Sequence, residues 1–237
     1  DLYNVAVGAE TVTLSGGTLK DVTSSLAGNI VLTADSTVSA TNADDTLTLS
    51  GVISGAYNLT KTGLGSVVLT GTNTYSGTTT ISTGTLALSG SGSIAASSKV
   101  ITNSTFDISG TSSGADIKSL DGSGSVVLGS KALNLTAAND TFAGVISGTG
   151  SLTLTSGTQT LSGANTYTGG TTINGGTLAL GANNVLANTG DVTVAGGTLN
   201  IASYDDTVGV LAINGGSSLL GSDGVLTVTS LITTGAS

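Results

Sequence analysis

A segment of sixteen residues occurs twice in this chain, and that self-similarity restricts the available folds more than any other feature. Asn73-Thr-Tyr-Ser-Gly-Thr-Thr-Thr-Ile-Ser-Thr-Gly-Thr-Leu-Ala-Leu88 returns as Asn165-Thr-Tyr-Thr-Gly-Gly-Thr-Thr-Ile-Asn-Gly-Gly-Thr-Leu-Ala-Leu180, so that Ile173 stands 92 residues after Ile81. Gly51-Val-Ile-Ser-Gly55 returns 93 residues on as Gly144-Val-Ile-Ser-Gly148. Phe106-Asp-Ile108 with Leu199-Asn-Ile201, and Leu133-Asn-Leu135 with Leu226-Thr-Val228, keep the same spacing of 93. Single-residue slips of this kind belong in turns. The start of the chain matches the second half of the unit: Val12-Thr-Leu-Ser-Gly-Gly-Thr-Leu19 pairs with Val192-Thr-Val-Ala-Gly-Gly-Thr-Leu199. The chain therefore reads as one domain over 1–237, made of a partial unit 1–50 and units 51–143 and 144–237. A repeat of this length implies stacked supersecondary units that share one continuous core.

A finer rhythm runs inside each unit. Short alternating runs such as Thr46-Leu-Thr-Leu49, Thr85-Leu-Ala-Leu88 and Ser151-Leu-Thr-Leu-Thr155 are separated by Gly, Asn or Ser-Gly. Alternation with period two sends Leu, Ile and Val to one face of a strand and Thr or Ser to the other. Thr suits the outer face because β-branching favours extended backbone, and Gly supplies the positive φ that tight corners need. No run has helical spacing with caps, so helix is expected to be nearly absent. A sandwich would carry aromatic bulk and varied strands, whereas each strand here repeats one small aliphatic set. The reading is an all-β parallel β-helix, a β-solenoid of roughly ten coils if each takes ~20–25 residues, on the order of 50 Å long at ~4.8 Å per coil.

Composition narrows the function classes. Charged residues make up 8% of the 237 and hydrophobic ones 38%, which sets the chain apart from disordered polymers rich in charge. The net charge is −9, with five basic residues, Lys20, Lys61, Lys99, Lys118 and Lys131. Five scattered lysines do not make the basic patch that nucleic acid requires, nor one suited to an anionic membrane surface. No apolar run approaches the ~20 residues of a membrane-spanning helix, so no direct membrane insertion of this segment is expected. With no Cys there is neither a disulfide framework nor a thiolate metal site. Asp1 is not a start methionine and no signal peptide is visible, which suggests a processed product or an excerpt of a longer chain.

At Gly148-Thr-Gly-Ser-Leu-Thr-Leu154 and Gly157-Thr-Gln-Thr-Leu-Ser-Gly-Ala-Asn-Thr-Tyr-Thr-Gly-Gly-Thr-Thr-Ile-Asn-Gly-Gly-Thr-Leu-Ala-Leu180, the sequence resembles the passenger-associated repeat of bacterial autotransporters. Ala56-Tyr-Asn-Leu-Thr-Lys-Thr-Gly-Leu-Gly-Ser-Val-Val-Leu-Thr-Gly71 resembles the entry into the same repeat. The two copies cover about a third of the chain. The resemblance implies a right-handed parallel β-helix, extracellular or at the outer-membrane surface of a Gram-negative bacterium, serving as stalk or spacer. The translocating barrel that follows such passengers, with its ~10-residue membrane strands, is not in this sequence, so surface anchoring rests on the family alone.

Candidate chemistry is sparse. Asp44-Asp45 and Asp205-Asp206 are carboxylate pairs of the type used in acid–base hydrolysis, with Asn139-Asp140 similar in kind. The chain has no His and no Arg to accompany them, and the pairs fall between strand runs, so they read as solvated turn residues. The same pairs are the candidate calcium ligands, but the glycine-rich calcium nonapeptide does not occur. Thr11/Thr13, Thr46/Thr48, Thr72/Thr74, Thr78/Thr80, Thr153/Thr155 and Thr158/Thr160 are the pairs an ice-binding face would align, yet their spacing is irregular. Tyr75 and Tyr167, equivalent in the two copies, are expected to cover coil corners with their hydroxyls in water. Glycosylation sequons at Asn58, Asn103, Asn134 and Asn139 are what chance gives in so Thr-rich a chain.

No catalytic, cofactor-binding or metal-binding residues are assigned from the sequence, and no cofactor is expected. The expectation is a non-enzymatic structural rod or stalk supporting adhesion. The alternative is a self-assembling extracellular fibre subunit, since neither Asp1–Val7 nor Leu231–Ser237 contains a recognisable cap. Expected partners are accordingly the chain itself, head to tail, or host and cell-surface ligands.

Overall fold

A computed structural model describes residues 6–214 and 218–235. The chain forms two compact units, Asp1–Lys118 and Ser119–Ser237. Among the described residues there is no α-helix, and within each unit every strand pairing between successive coils is parallel. Both units are turns of a parallel β-solenoid.

In the first unit each coil is made of up to three short strands. One face stacks Ala6–Val7, Thr23–Leu26, Thr46–Leu49, Ser66–Leu69, Thr85–Gly90 and Thr105–Thr111. A second stacks Thr18–Asp21, Ser36–Ala40, Leu59–Thr62, Thr79–Ile81 and Val100–Thr102, and a third, shorter face stacks Val12–Ser15, Ile30–Ala34 and Ile53–Ser54. In the second unit the two long faces hold six strands each. One runs from Leu133–Leu135 through Leu152–Leu154, Thr171–Ile173, Val192–Val194 and Asp206–Asn214 to Leu226–Thr234. The other runs from Leu120–Gly122 through Ala138–Phe142, Gly157–Leu161, Thr177–Leu180 and Thr198–Ala202 to Ser218–Gly221. Register partners are separated by as few as 18 residues, Val12 with Ile30, and as many as 23, Thr23 with Thr46. The coils are thus slightly tighter than the sequence rhythm suggests.

The alternation sorts as physics requires. Leu47, Val67, Leu86 and Phe106 stack in one buried ladder of the first unit. Leu135, Leu154, Ile173 and Val194 do so in the second. Each such side chain removes apolar surface worth roughly 1.5–3 kcal/mol, so the core grows by a constant increment per coil. On the outside, Thr18, Thr37, Thr60 and Thr80 lie in register, as do Thr153, Thr172 and Thr193.

The corners depend on glycine at two equivalent places. Gly55 and Gly148 both adopt φ 119°, a conformation that side chains oppose. A methyl group on Gly55 would lie 2.2 Å from the Leu32 carbonyl oxygen of the neighbouring coil. The recurrence of Gly-Val-Ile-Ser-Gly is therefore a recurrence of backbone shape.

Candidate functional site

Asn, Tyr and the first Thr of the strand, three polar residues common to the two repeat copies, converge on one local structure that faces inward. Asn73 is buried; its Oδ1 accepts from the Ile53 N–H at 2.8 Å, and its Nδ2 donates to the Gly71 and Ser93 carbonyls at 3.0 Å each. Asn165 does the same in the second unit, accepting from the Ile146 N–H at 2.8 Å and donating to Gly163 O at 3.0 Å and Val185 O at 2.9 Å. Each asparagine thus ties its own coil to the coil before and the coil after. These segments run without regular strand, and the amide supplies the backbone pairing that a ladder would otherwise give.

Two residues further on, Tyr75 and Tyr167 overturn the expectation of wet hydroxyls. Their exposures are 0% and 1%, and each hydroxyl pairs with a threonine hydroxyl at 2.6 Å, Tyr75 with Thr79 and Tyr167 with Thr171. Extended backbone from Asn73 carries the alternation through Tyr75, which puts the ring on the core side. Burial pushes the Tyr75 hydroxyl far above its ordinary pKa and Tyr167 up to about 12, in the latter case aided by the nearby Asp206 carboxylate. Thr79 also pairs with Ser97 Oγ at 2.9 Å, whereas Thr171 has Tyr167 as its hydroxyl partner. Tyr167→Phe should therefore cost about 1–2 kcal/mol and Tyr75→Phe less than that; urea unfolding of the two variants measures the difference.

The acidic pairs divide. Asp44 and Asp205 are exposed, as solvated turn residues should be. Asp45 and Asp206 are buried, which corrects that reading for half of each pair. Asp45 Oδ2 accepts from the Asn42 N–H and side-chain amide at 2.6 and 3.0 Å. Asp206 Oδ2 accepts from the Val185 and Leu186 N–H groups, both at 2.9 Å, and Oδ1 from Thr207 N–H at 2.8 Å. Desolvation raises the Asp206 pKa against the pull of those three donors. Asn139 and Asp140 are strand residues in Ala138–Phe142. Among the described residues no three acidic side chains gather as a metal site would require. The Thr pairs do not align either: Thr46 stacks with Ser66, Thr85 and Thr105, but Thr48 stacks with Val68, Ala87 and Asp107.

Among the buried polar residues that the sequence reading missed are Lys61 and Gln159. Lys61 occupies the core-facing phase of Leu59–Thr62, between Val38 and Ile81 in the ladder, and is fully buried. Its ammonium donates to the carbonyls of Thr62, Gly63 and Thr83 at 2.8, 2.9 and 3.0 Å. Gln159 is likewise buried, its Nε2 shared among the carbonyls of Leu120, Asp140 and Thr160 at 2.9, 3.1 and 3.2 Å. The period-two phase was the signal for both, because Lys61 alternates in step with Leu59 and Gln159 with Leu161.

Burial lowers the Lys61 pKa from 10.5 to about 8. Between those values the unfolded chain binds the proton and the folded chain does not, so stability should rise with pH across that window, by on the order of 2 kcal/mol. Above pH 10 the tyrosines reverse the trend, since they ionise in the unfolded chain first. Urea unfolding across this range should show a maximum near pH 10, and Lys61→Met should remove the rising limb.

A small polar groove of about 140 Å³ lies between Gly90–Ser93 and Ser113–Asp116 in the first unit. Small-molecule sites usually span roughly 300–1,000 Å³ and are largely apolar, so this groove does not qualify as one. Among the described residues no helix is long and apolar enough to cross a membrane.

What the fold and its inward-facing polar residues define is a repetitive parallel β-solenoid protein. Residues 59–88 and 156–180 match the family model of the passenger-associated-transport-repeat, and repeat and solenoid together fit an autotransporter passenger repeat protein. No curated protein and no solved structure matches the chain.

Proposed function

We propose that this chain is a non-enzymatic stalk segment of a secreted or surface-displayed autotransporter-like protein of a Gram-negative bacterium, a rod that supports adhesion by holding binding regions away from the cell. One observation carries the reading. Three of the polar pairs shared by the two repeat copies, Asn73/Asn165, Tyr75/Tyr167 and Thr79/Thr171, are buried and hydrogen-bonded within and between coils, while the shared Thr74/Thr166 is exposed and Thr80/Thr172 and Thr85/Thr177 are half-buried. The recurrent asparagine, tyrosine and buried threonine therefore serve the stacking of coils. The mechanism is mechanical: each coil satisfies the next, and length is added at nearly constant energy. Negative-stain electron microscopy across a concentration series tests it. Isolated short rods support the stalk; round particles would defeat it. Host and cell-surface ligands are the partners in this reading, and a glycan array without hits would count against a direct binding role.

Self-assembly head to tail is the second reading. Leu219, Val225, Leu231 and Ile232, exposed at 41, 60, 58 and 48%, all belong to the coil that ends in Leu226–Thr234. Leu219 and Leu231 continue core ladders, in register with Leu199 and Leu211. An apolar coil face of this kind is suited to receive another coil, here from a second copy. Long filaments in the same micrographs would establish it, and a monomer at high concentration would end it.

A further inference from the structure

We infer that Asn174-Gly175, at a corner of the second repeat copy, is a self-modification site at which the asparagine amide is lost through a succinimide. The asparagines of this fold are mostly held as coil staples. Asn73 and Asn165 each have three side-chain hydrogen bonds in the interior. Asn58 donates its amide to Asp35 and accepts from Thr78 N–H. Asn29, Asn183 and Asn200 accept backbone N–H groups, and Asn42 donates to Asp45. Asn174 is exposed, as are Asn103, Asn139, Asn184 and Asn188, and its backbone N–H donates to Leu154 O at 2.9 Å; it differs from those four in its neighbour. Its successor is glycine, whose nitrogen is not shielded by a side chain.

The step balances. In mild alkali the Gly175 amide nitrogen loses its proton and attacks Asn174 Cγ, forming a carbon–nitrogen bond. The bond from Cγ to the side-chain nitrogen breaks, and ammonia leaves with a proton from water. Water then opens the five-membered imide at either carbonyl, giving aspartate or isoaspartate. The chain thereby gains one negative charge at the corner between Thr171–Ile173 and Thr177–Leu180. The isoaspartyl product also lengthens the backbone there. That corner is tightly stacked: a methyl group on Gly176 would lie 2.2 Å from Gly157 O, and one on Gly197 2.7 Å from Gly176 O. The aligned corner of the first copy reads Ser82-Thr83 and cannot undergo the reaction, which makes it an internal control. Asn214-Gly215 shares the dipeptide, but Asn214 Oδ1 accepts from Thr234 Oγ1 at 2.9 Å, and Gly215 lies outside the described residues.

The test holds the folded chain in mildly alkaline buffer, then digests it and maps the peptides by mass, with enzymatic methylation of isoaspartate as a second readout. The peptide containing Asn174 should gain one mass unit severalfold faster than those containing Asn73 or Asn165. Asn174→Ser, which copies the first repeat, should abolish that gain while the circular dichroism spectrum stays unchanged. Equal rates at all asparagines, or gain at Asn174 only after unfolding in urea, would overturn the inference.

Discussion

Replacing Asn165 by alanine is expected to destabilise the protein by about 3–4 kcal/mol, although the residue forms no part of a regular strand. The side chain is 5% exposed and is the acceptor for Ile146 N–H and a donor to Gly163 O and Val185 O. Val185 O keeps the backbone N–H of Asn165 at 3.0 Å after the substitution, so two groups are orphaned, one donor and one acceptor. Each unsatisfied buried group costs roughly 1–3 kcal/mol. Asn165→Asp should do no better, because it keeps the acceptor for Ile146 and sets a carboxylate against two carbonyl oxygens. The exposed Asn174→Ala serves as the reference and should shift stability by less than ~0.5 kcal/mol. Urea unfolding followed by circular dichroism reads all three, and a loss of under ~1 kcal/mol at Asn165 would show that the amide is not a coil staple.

The second large effect belongs to Gly55→Ala, with an expected cost of about 3 kcal/mol or more. Two separate penalties act at one atom. The φ of 119° is unfavourable for any side chain, and the new methyl would stand 2.2 Å from Leu32 O, which is backbone and cannot rotate away. Relief requires moving one coil off another. Gly148, with the same φ and a methyl contact of 2.6 Å to Gly129 O, should behave alike. Gly17 is the control: nothing lies within 4 Å of its added methyl, so alanine there should be neutral, or stabilising by up to ~1 kcal/mol. Comparable melting temperatures for Gly55→Ala and Gly17→Ala would refute the assigned role of the glycine corner.

Much of the fold was legible because β-solenoids write their geometry in two periods. Alternation over Thr46-Leu-Thr-Leu49 gave the inward and outward faces directly, and the spacing of 92 to 93 gave the stack. The interior polar residues were less legible. Lys61 and Gln159 carry the correct phase, but a charged or amide side chain is ordinarily assigned to water, and only the geometry shows carbonyls gathered around each. Tyr75 was misplaced for a related reason. A hydroxyl needs a partner when buried, and that partner, Thr79, belongs to a residue type that strands ordinarily turn outward. The acidic pairs failed at the level of single residues: Asp205 faces solvent and Asp206 the interior at the start of a strand, and Asp45 turns inward onto Asn42 while Asp44 stays exposed in the turn. The recurrence of Asn73 and Tyr75 as Asn165 and Tyr167 was visible from the start; that their roles lie inside the coil was not.

Asn73 and Asn165 hold equivalent places, each bonded to the coil before and the coil after its own, so a chain spliced between them should still fold. Excision of residues 74–165, joining Asn73 to Thr166, tests it most directly because it removes one period of 92 and restores the Asn-Thr-Tyr motif at the junction. The expected product is a soluble, β-rich chain that unfolds cooperatively and keeps the wild-type circular dichroism per residue. Aggregation, or a spectrum of disordered chain, would contradict it.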